Sequence, residues 1–133
     1  MSVTRAFDIH FAFGHRLLGY EGKCRYLHGH NGLLRIVLAL PGPEAAPPLD
    51  LDAARAAARA WVEERLDHQV LLSRDDPLAA VLAGAGQRVC SLETNPSAEN
   101  IARLVHGGLR ALGLPVTRVD FWETPASSSS FGS

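Results

Sequence analysis

Apolar and polar residues alternate near the start of the chain. Between residues 5 and 13 every second position is apolar, at Phe7, Ile9, Phe11 and Phe13. A period of two predicts a β-strand with one buried face, and the same alternation points His15 toward that face. The apolar run of residues 33–40 follows the turn signal Asn31-Gly32 and predicts a second strand. We expect the two strands to pair as a long hairpin.

Helical spacing begins after a proline-rich stretch. The prolines of residues 41–48 predict the end of the sheet, and no helix can start until they have passed. Asp50 or Asp52 is a good N-cap for the amphipathic helix that follows. Its apolar positions are Leu51, Ala54, Ala58, Trp61, Val62 and Leu66.

Two more helices and a short strand are predicted further along. Asp76-Pro77 offers a cap and a first-turn proline for a short helix over residues 78–83, which glycines end. Residues 88–92 predict a brief strand. Asn95-Pro96-Ser97 opens a helix with one apolar stripe, and Gly113 is placed to end it.

The chain closes with a predicted strand and a tail. Residues 116–122 are β-branched and aromatic enough for a strand, which delivers Glu123 and Thr124 to its end. The small polar residues 126–130 predict a loose terminus, with Phe131 docking. Antiparallel strands with helices collected between them predict an α+β fold with the helices on one face.

Length, charge and cysteine content narrow the class of protein. The 133 residues fit one domain, residues 1–133. Thirteen Lys and Arg against fourteen Asp and Glu give a net charge of −1, which argues against nucleic-acid or membrane-surface partners. No apolar run approaches a membrane span and residues 1–5 lack a signal-peptide layout, so we expect a cytoplasmic protein. Cys24 and Cys90 are expected to be free thiols.

Three histidines form the candidate metal site. His28 and His30 share one face of a strand, and the hairpin brings His15 beside them. Three imidazoles suit Zn²⁺ and leave a fourth position open, which is the catalytic pattern. Ordinary hydrogen-bonded histidines are the plain alternative, and a structural zinc closed by Cys24 is the other. Glu123, by itself, is more often a solvated charge than a ligand.

Two further groups are candidates for proton transfer. Lys23 and Arg25 flank Cys24 and favour its thiolate, although a free cysteine is more commonly packed as a small apolar residue. Asp67 can fix the tautomer of His68, which then takes or gives a proton. The plain interpretation of this pair is a helix C-cap.

Together these residues resemble the motifs of the 6-pyruvoyltetrahydropterin synthase and 6-carboxytetrahydropterin synthase family. The resemblance covers nearly the whole chain in order. Its motifs are His15 after a Phe-rich strand, Gly22-Lys23-Cys24, His28-Gly29-His30-Asn31, Leu66-Asp67-His68, Asn95-Pro96-Ser97-Ala98-Glu99-Asn100 and Glu123-Thr124-Pro125.

The resemblance implies a fold, a cofactor and a set of roles. The family fold is the tunnelling fold, a four-stranded antiparallel sheet with two main helices on one face, whose subunits join into barrels. It implies a homo-oligomer, a hexamer, with active sites between subunits. The metal ligands implied are His15, His28 and His30, holding Zn²⁺. The implied catalytic residues are Cys24 as general base, supported by Asp67 and His68.

The substrate implied by the resemblance is 7,8-dihydroneopterin triphosphate. Glu123 is implied to anchor the pterin ring, with Ser97 and Thr124 beside it; Ser97 stands where threonine is usual. Lys23, together with Arg25 and Arg16, is a candidate to receive the triphosphate.

The product and the departures from the family leave alternatives open. Three residues separate Cys24 from His28, a spacing that resembles the bacterial 6-carboxy enzymes of queuosine biosynthesis more than the 6-pyruvoyl enzymes. Glu21 keeps open a third specificity, side-chain cleavage to a hydroxymethylpterin. Gly32 stands where an aromatic is common, and residues 73–93 look longer than in compact members. A non-catalytic zinc- or pterin-binding protein is the rival from another class.

Overall fold

A computed structural model describes residues 3–40 and 49–133 of the chain. Over these residues the strands form one six-stranded sheet in the order β4-β3-β1-β2-β5-β6. The elements are β1 Val3–His15, β2 His28–Leu40, α1 Leu51–Arg65, β3 Gln69–Ser73, α2 Leu78–Gly84, β4 Val89–Leu92, α3 Ala98–Ala111, β5 Val116–Thr124 and β6 Ser127–Gly132.

The predicted hairpin is confirmed and is longer than expected. β1 and β2 pair antiparallel from Val3 opposite Leu40 to His15 opposite His28. The alternating side chains of β1 are buried on one face, as the period of two requires. Burying each of the four large apolar side chains stabilises the fold by about 1.5–3 kcal/mol. The same row ends in the buried His15.

The helices α1 and α3 cover the face of the sheet that carries this row, which we call the helix face. The Asp50 carboxylate accepts the N–H of Ala53 and begins α1, and the Ser97 hydroxyl accepts the N–H of Asn100 and begins α3. A side chain at Gly108 would collide with the Trp61 ring, so this glycine lets the two helices pack closely. The opposite face, called the open face, carries the Asp8–Arg35 ion pair.

Three predictions about the sheet are wrong. The sheet is mixed, because β3 pairs parallel with both β1 and β4, whereas four antiparallel strands with two helices were expected. The short strand β3 was not predicted, since a buried parallel strand shows no alternation. The loose tail of residues 126–130 is also wrong, because β6 pairs with β5. The expected docking of Phe131 is confirmed, since its side chain packs half-buried against the core. Main-chain hydrogen bonds hold this serine-rich strand, and they do not depend on side-chain type.

The remaining elements agree with their predictions. The short helix α2, the strand β4, the helix α3 and the strand β5 all occupy the expected segments. The expected end of the sheet in residues 41–48 lies outside the described residues, although β2 ends at Leu40 and α1 begins at Leu51. In the described ranges, every helix is too short or too polar to cross a membrane.

Candidate metal centre

Three histidines and one glutamate meet at one end of the sheet. One side-chain donor atom each from His15, His28, His30 and Glu123 lies within 4.8 Å of the others. The strand register explains the meeting: His15 is opposite His28, and His30 follows on the same face. β5 runs antiparallel to β2, so its last residues reach the point where β2 begins. The predicted grouping of the three histidines is therefore what the hairpin produces.

Backbone carbonyls fix the tautomers of two of these rings. His15 Nδ1 lies 2.8 Å from the Pro96 oxygen, and His28 Nδ1 lies 2.7 Å from the Tyr26 oxygen. A carbonyl oxygen only accepts, so Nδ1 carries the hydrogen in both rings and Nε2 keeps its lone pair. Histidines that bind metals are usually oriented in this way by a partner on the second ring nitrogen.

The Nε2 atoms that face the centre lack ordinary partners. Among the described residues, His15 Nε2 and His30 Nε2 are buried and have no hydrogen bond of acceptable geometry. Glu123 Oε1 lies 2.8 Å from the first and 3.1 Å from the second, so a lone pair on His15 faces a carboxylate. A cation between them removes this conflict. Because buried polar atoms are rarely left unpaired, the residues present fit a divalent metal ion.

Burial favours the neutral, metal-binding form of one of the imidazoles. It lowers the pKa of His30, with His15 and His28 adding to the shift and Glu123 opposing it. The side chain of His15 is 3% exposed and that of His30 is 19% exposed. The centre is thus closed beneath His15 and open to solvent near His30.

Cys24 lies outside this group. The described ligand atoms that converge include Glu123 and exclude the thiol, so the structural-zinc alternative closed by Cys24 is not what the geometry assembles. Cys24 is exposed on the short 3₁₀ turn Lys23–Arg25, between the two strands that carry the histidines. Its carbonyl oxygen accepts the N–H of Leu17 at 2.8 Å, which holds the turn beside the chain just past His15.

The Asp67–His68 pair is fixed to the edge of β1. Asp67 Oδ1 accepts the N–H of Ala12 at 3.0 Å, and the N–H of His68 donates to the Ala12 oxygen at 2.7 Å. Asp67 Oδ2 lies 3.0 Å from His68 Nδ1. Burial would raise the pKa of Asp67, but the bonds from Ala12 and His68 keep it below its ordinary value. The pair therefore does more than cap α1, which already ends at Arg65.

The pair lies outside the group of converging ligand atoms. His68 lines a cavity of about 440 Å³ with Ala12, Gly14, Gly29 and Asn31, and Phe13 and His30 also contribute to the cavity wall. Alternation places the first four of these residues on the open face, whereas His15 and His30 belong to the helix face. The His68 side chain is 75% exposed there. One chain does not bring the predicted proton-transfer pair to the predicted metal ligands.

The Asn95–Asn100 motif supports His15 from the other side. The Asn95 side chain bonds both the N–H and the carbonyl oxygen of Leu18, each at 2.8 Å. Asn100 donates to the Asn95 oxygen at 2.8 Å. Ser97, predicted to meet the substrate, serves here as the N-cap of α3. Sequence reasoning missed the supporting role of Asn95 and of the Pro96 carbonyl, although the Asn-Pro turn signal marked the place.

Gly32 has a packing explanation. A Cβ atom there would lie 2.7 Å from a ring carbon of Phe121, 3.2 Å from Phe13 and 3.3 Å from Phe11. Three phenylalanines therefore fill the space that an aromatic side chain at this position would take. The Phe13 ring in turn contacts His15 and His30, with centroids 5.1 and 5.6 Å away. The glycine belongs to the apolar wall of the metal centre.

Comparison with known proteins places the chain in a family. A sequence model described as 6-pyruvoyl tetrahydropterin synthase matches residues 3–133. The chain belongs to the 6-pyruvoyl tetrahydropterin synthase family. A family relative, the 6-carboxy-5,6,7,8-tetrahydropterin synthase of Rickettsia bellii, is 34% identical over 125 residues, covering 88% of this chain and 91% of the relative.

Solved structures of the family share the fold. The 6-pyruvoyl tetrahydropterin synthase of Caenorhabditis elegans superposes with a TM-score of 0.72 at 20% identity, over 100% of this chain and 96% of that one. An uncharacterised protein of Wolinella succinogenes gives a TM-score of 0.76 at 22% identity, over 99% and 98% of the two chains. At these identities the likeness concerns the fold alone.

Proposed function

We propose that this chain is a zinc-dependent lyase that converts 7,8-dihydroneopterin triphosphate and water to 6-carboxy-5,6,7,8-tetrahydropterin, acetaldehyde and triphosphate. The reaction belongs to the cytoplasmic route to 7-deazapurines such as queuosine. The observation that carries the proposal is the meeting of three imidazoles and a carboxylate around buried, unpartnered Nε2 atoms. The name of the Rickettsia relative, a 6-carboxy-5,6,7,8-tetrahydropterin synthase, supports the choice of product.

His15, His28 and His30 hold the zinc ion in this proposal. Their donor atoms converge, and two of the rings already have the correct tautomer. Bound Zn²⁺ supplies Lewis-acid polarisation of a substrate oxygen. Glu123, at the end of β5, would accept N–H bonds from the aminopyrimidine edge of the pterin. A carboxylate in this position selects against rings that lack those N–H donors, because the carboxylate would then be left without a hydrogen-bond partner.

Cys24 takes the proton from the substrate side chain. Its exposed position between Lys23 and Arg25 leaves the thiol accessible to substrate. Lys23 also offers a charge for the triphosphate. Ser97 and Thr124, both half-buried near the centre, line the pterin site. Each of their hydroxyl groups can donate one hydrogen bond and accept up to two.

Asp67 and His68 act on a site of a neighbouring subunit. Within one chain they lie outside the group of converging ligand atoms, and in this proposal a partner subunit brings such a pair to the centre. A homo-oligomer, a hexamer in this proposal, supplies that partner. Asp67 holds the His68 ring, and His68 delivers or accepts the second proton.

The test is product analysis. Purified protein of measured zinc content is incubated with 7,8-dihydroneopterin triphosphate, and the products are identified by mass. We expect 6-carboxytetrahydropterin, acetaldehyde and triphosphate, and we expect Cys24→Ala to keep zinc while losing triphosphate release. A pyruvoyl product assigns the other activity of the family, and zinc-loaded protein without turnover assigns a binding protein.

A further inference from the structure

The buried carboxylate of Asp76 forms a bidentate ion pair with Arg16, the residue that follows His15. Arg16 donates from Nε to Asp76 Oδ2 at 2.8 Å and from the NH2 nitrogen to Oδ1 at 2.5 Å. The side chain of Asp76 is fully buried, while that of Arg16 is 25% exposed. Two parallel bonds fix both the distance and the plane of the guanidinium group, so this pair restrains the chain more tightly than a single contact does.

Asp76 itself is rigidly placed. Its N–H donates to the Ser73 oxygen at 2.9 Å, and its Oδ1 accepts the N–H of Leu78 at 2.9 Å. β3, which leads to it, pairs parallel with the last residues of β1, and His15 lies opposite Leu71. The carboxylate therefore belongs to the long segment of residues 73–93 and is delivered to the end of β1 where the metal ligands begin.

The backbone after His15 needs such a restraint. β1 ends at His15, so Arg16 is the first residue without strand partners. The His15 ring has one anchor, the Pro96 oxygen, on the α3 side. Arg16 and Asp76 supply an anchor from the β3–α2 connection. The ligand is thus held between two independent supports.

We propose that Asp76, acting through Arg16, is a positioning residue that presets His15 for the metal ion. The inference rests on the metal centre of the proposed function and assigns a role to the 73–93 segment. It also removes Arg16 from the cations available to triphosphate, because two of its donors are committed to Asp76. Substitution of a group that orients a metal ligand typically weakens metal binding by about 10–100-fold.

The experiment compares zinc affinity and cobalt spectra. Asp76→Asn and Arg16→Lys are prepared metal-free, zinc dissociation constants are measured by competition with a chromophoric chelator, and the Co²⁺ ligand-field absorption is recorded. We expect Asp76→Asn to weaken zinc about tenfold and to alter the Co²⁺ bands. Arg16→Lys keeps the positive charge but cannot form the two parallel hydrogen bonds, and we expect it to lose less zinc affinity than Asp76→Asn. The double variant is no worse than Asp76→Asn, since the two residues act as one unit.

Two controls separate positioning from stability. Asp8→Asn breaks the Asp8–Arg35 pair, which has the same bidentate form and also joins β1, but lies on the open face. Leu109→Ala removes a fully buried side chain near the far end of α3 and lowers stability without touching the centre. Both controls should retain the wild-type zinc affinity and Co²⁺ spectrum.

The outcomes are distinguishable. Unchanged zinc affinity and spectrum in Arg16→Lys and Asp76→Asn overturn the inference and leave the proposed function intact. An equal loss of zinc affinity in Leu109→Ala also overturns the inference, because the loss would then follow from lowered stability. An Arg16→Lys variant that only raises the KM for dihydroneopterin triphosphate overturns it as well, and makes Arg16 a substrate-binding cation. Wild-type protein that binds no zinc overturns the proposed function and this inference together. Should Asp76→Asn fail to fold, Arg16→Lys alone decides.

Discussion

The Asp67–His68 pair and the histidine centre differ in how the polar atoms of their side chains find hydrogen-bond partners. Asp67 and His68 bond to each other and to both backbone groups of Ala12. In the centre, by contrast, His15 and His30 turn buried nitrogens toward a carboxylate without a hydrogen bond. In the Asp67–His68 pair, called the complete cluster, the buried polar atoms have hydrogen-bond partners within the chain, so no ligand is needed to explain them. The histidine centre, called the incomplete cluster, leaves buried nitrogens without partners, and this unfavourable free energy indicates a ligand.

The largest expected effect comes from removing one ligand of the incomplete cluster. His15→Ala should weaken zinc binding by more than about 100-fold, since loss of a direct ligand exceeds the effect of losing an orienting partner. His68→Ala is the matched control and should retain one zinc per chain while losing activity. Elemental analysis and chelator competition measure both. Equal zinc loss in the two variants would remove the distinction between the clusters.

A smaller effect is expected at the apolar wall. Gly32→Ala places a methyl group against Phe121 and should cost about 1–3 kcal/mol of unfolding free energy, as overpacking of a well-filled core does. Because Phe13 contacts two of the ligand rings, zinc affinity should fall as well. Denaturant unfolding of the metal-free protein measures the first change.

The control for Gly32→Ala is Gly107→Ala, whose added methyl group meets open space on α3. That substitution should stabilise the helix by up to about 1 kcal/mol, because alanine has the higher helix propensity. Zinc affinity should remain unchanged. If Gly32→Ala proves neutral, the three rings can move, and the wall is softer than the packing indicates.

Lowering the pH should release zinc from the histidine centre gradually. Zinc requires neutral imidazole, and His30 has a pKa below the ordinary value of 6.5 because burial disfavours its charge. The proton on His30 therefore begins to compete with zinc only below that value. Once it does, the apparent affinity falls by about tenfold per pH unit for each ligand that is protonated. Zinc titrations between neutral pH and pH 5 test this, and loss of zinc already above pH 7 would contradict it.

The sequence predicted the meeting of the three histidines because the main determinants of that meeting are local. Alternation in β1 and the hairpin with β2 are enough to bring His15 beside His28 and His30. Glu123 was predicted at the end of β5, but its approach to the histidines depends on strand order, which no local pattern contains. Its role at the pterin, like the roles of Cys24, Ser97 and Thr124, stays a prediction.

The parts that sequence reasoning missed depend on distant contacts. The Arg16–Asp76 pair joins residues 60 positions apart, and the bond between Asn95 and Leu18 spans 77. β3 is too short and too uniformly apolar to reveal its direction, and β6 is held by backbone bonds to β5. The resemblance supplied Asp67 and His68 as a candidate catalytic pair, yet the separation of this pair from the converging ligand atoms becomes visible only in three dimensions.

The smallest expected effect lies in the complete cluster. Asp67→Asn should cost about 0.5–1.5 kcal/mol of unfolding free energy near neutral pH, because a charge-assisted bond to Ala12 becomes an ordinary one. The folded-state pKa of Asp67 is lower than the ordinary value of 3.8, so its carboxylate stabilises the fold fully above that pH. The contribution disappears as pH falls through the lower folded-state value. Wild type and variant should therefore converge in stability as the pH falls below 3.8, as denaturant unfolding of both proteins over a series of pH values from 7 downward would reveal. A difference in unfolding free energy that does not change with pH would show that Asp67 acts through its shape and not through its charge.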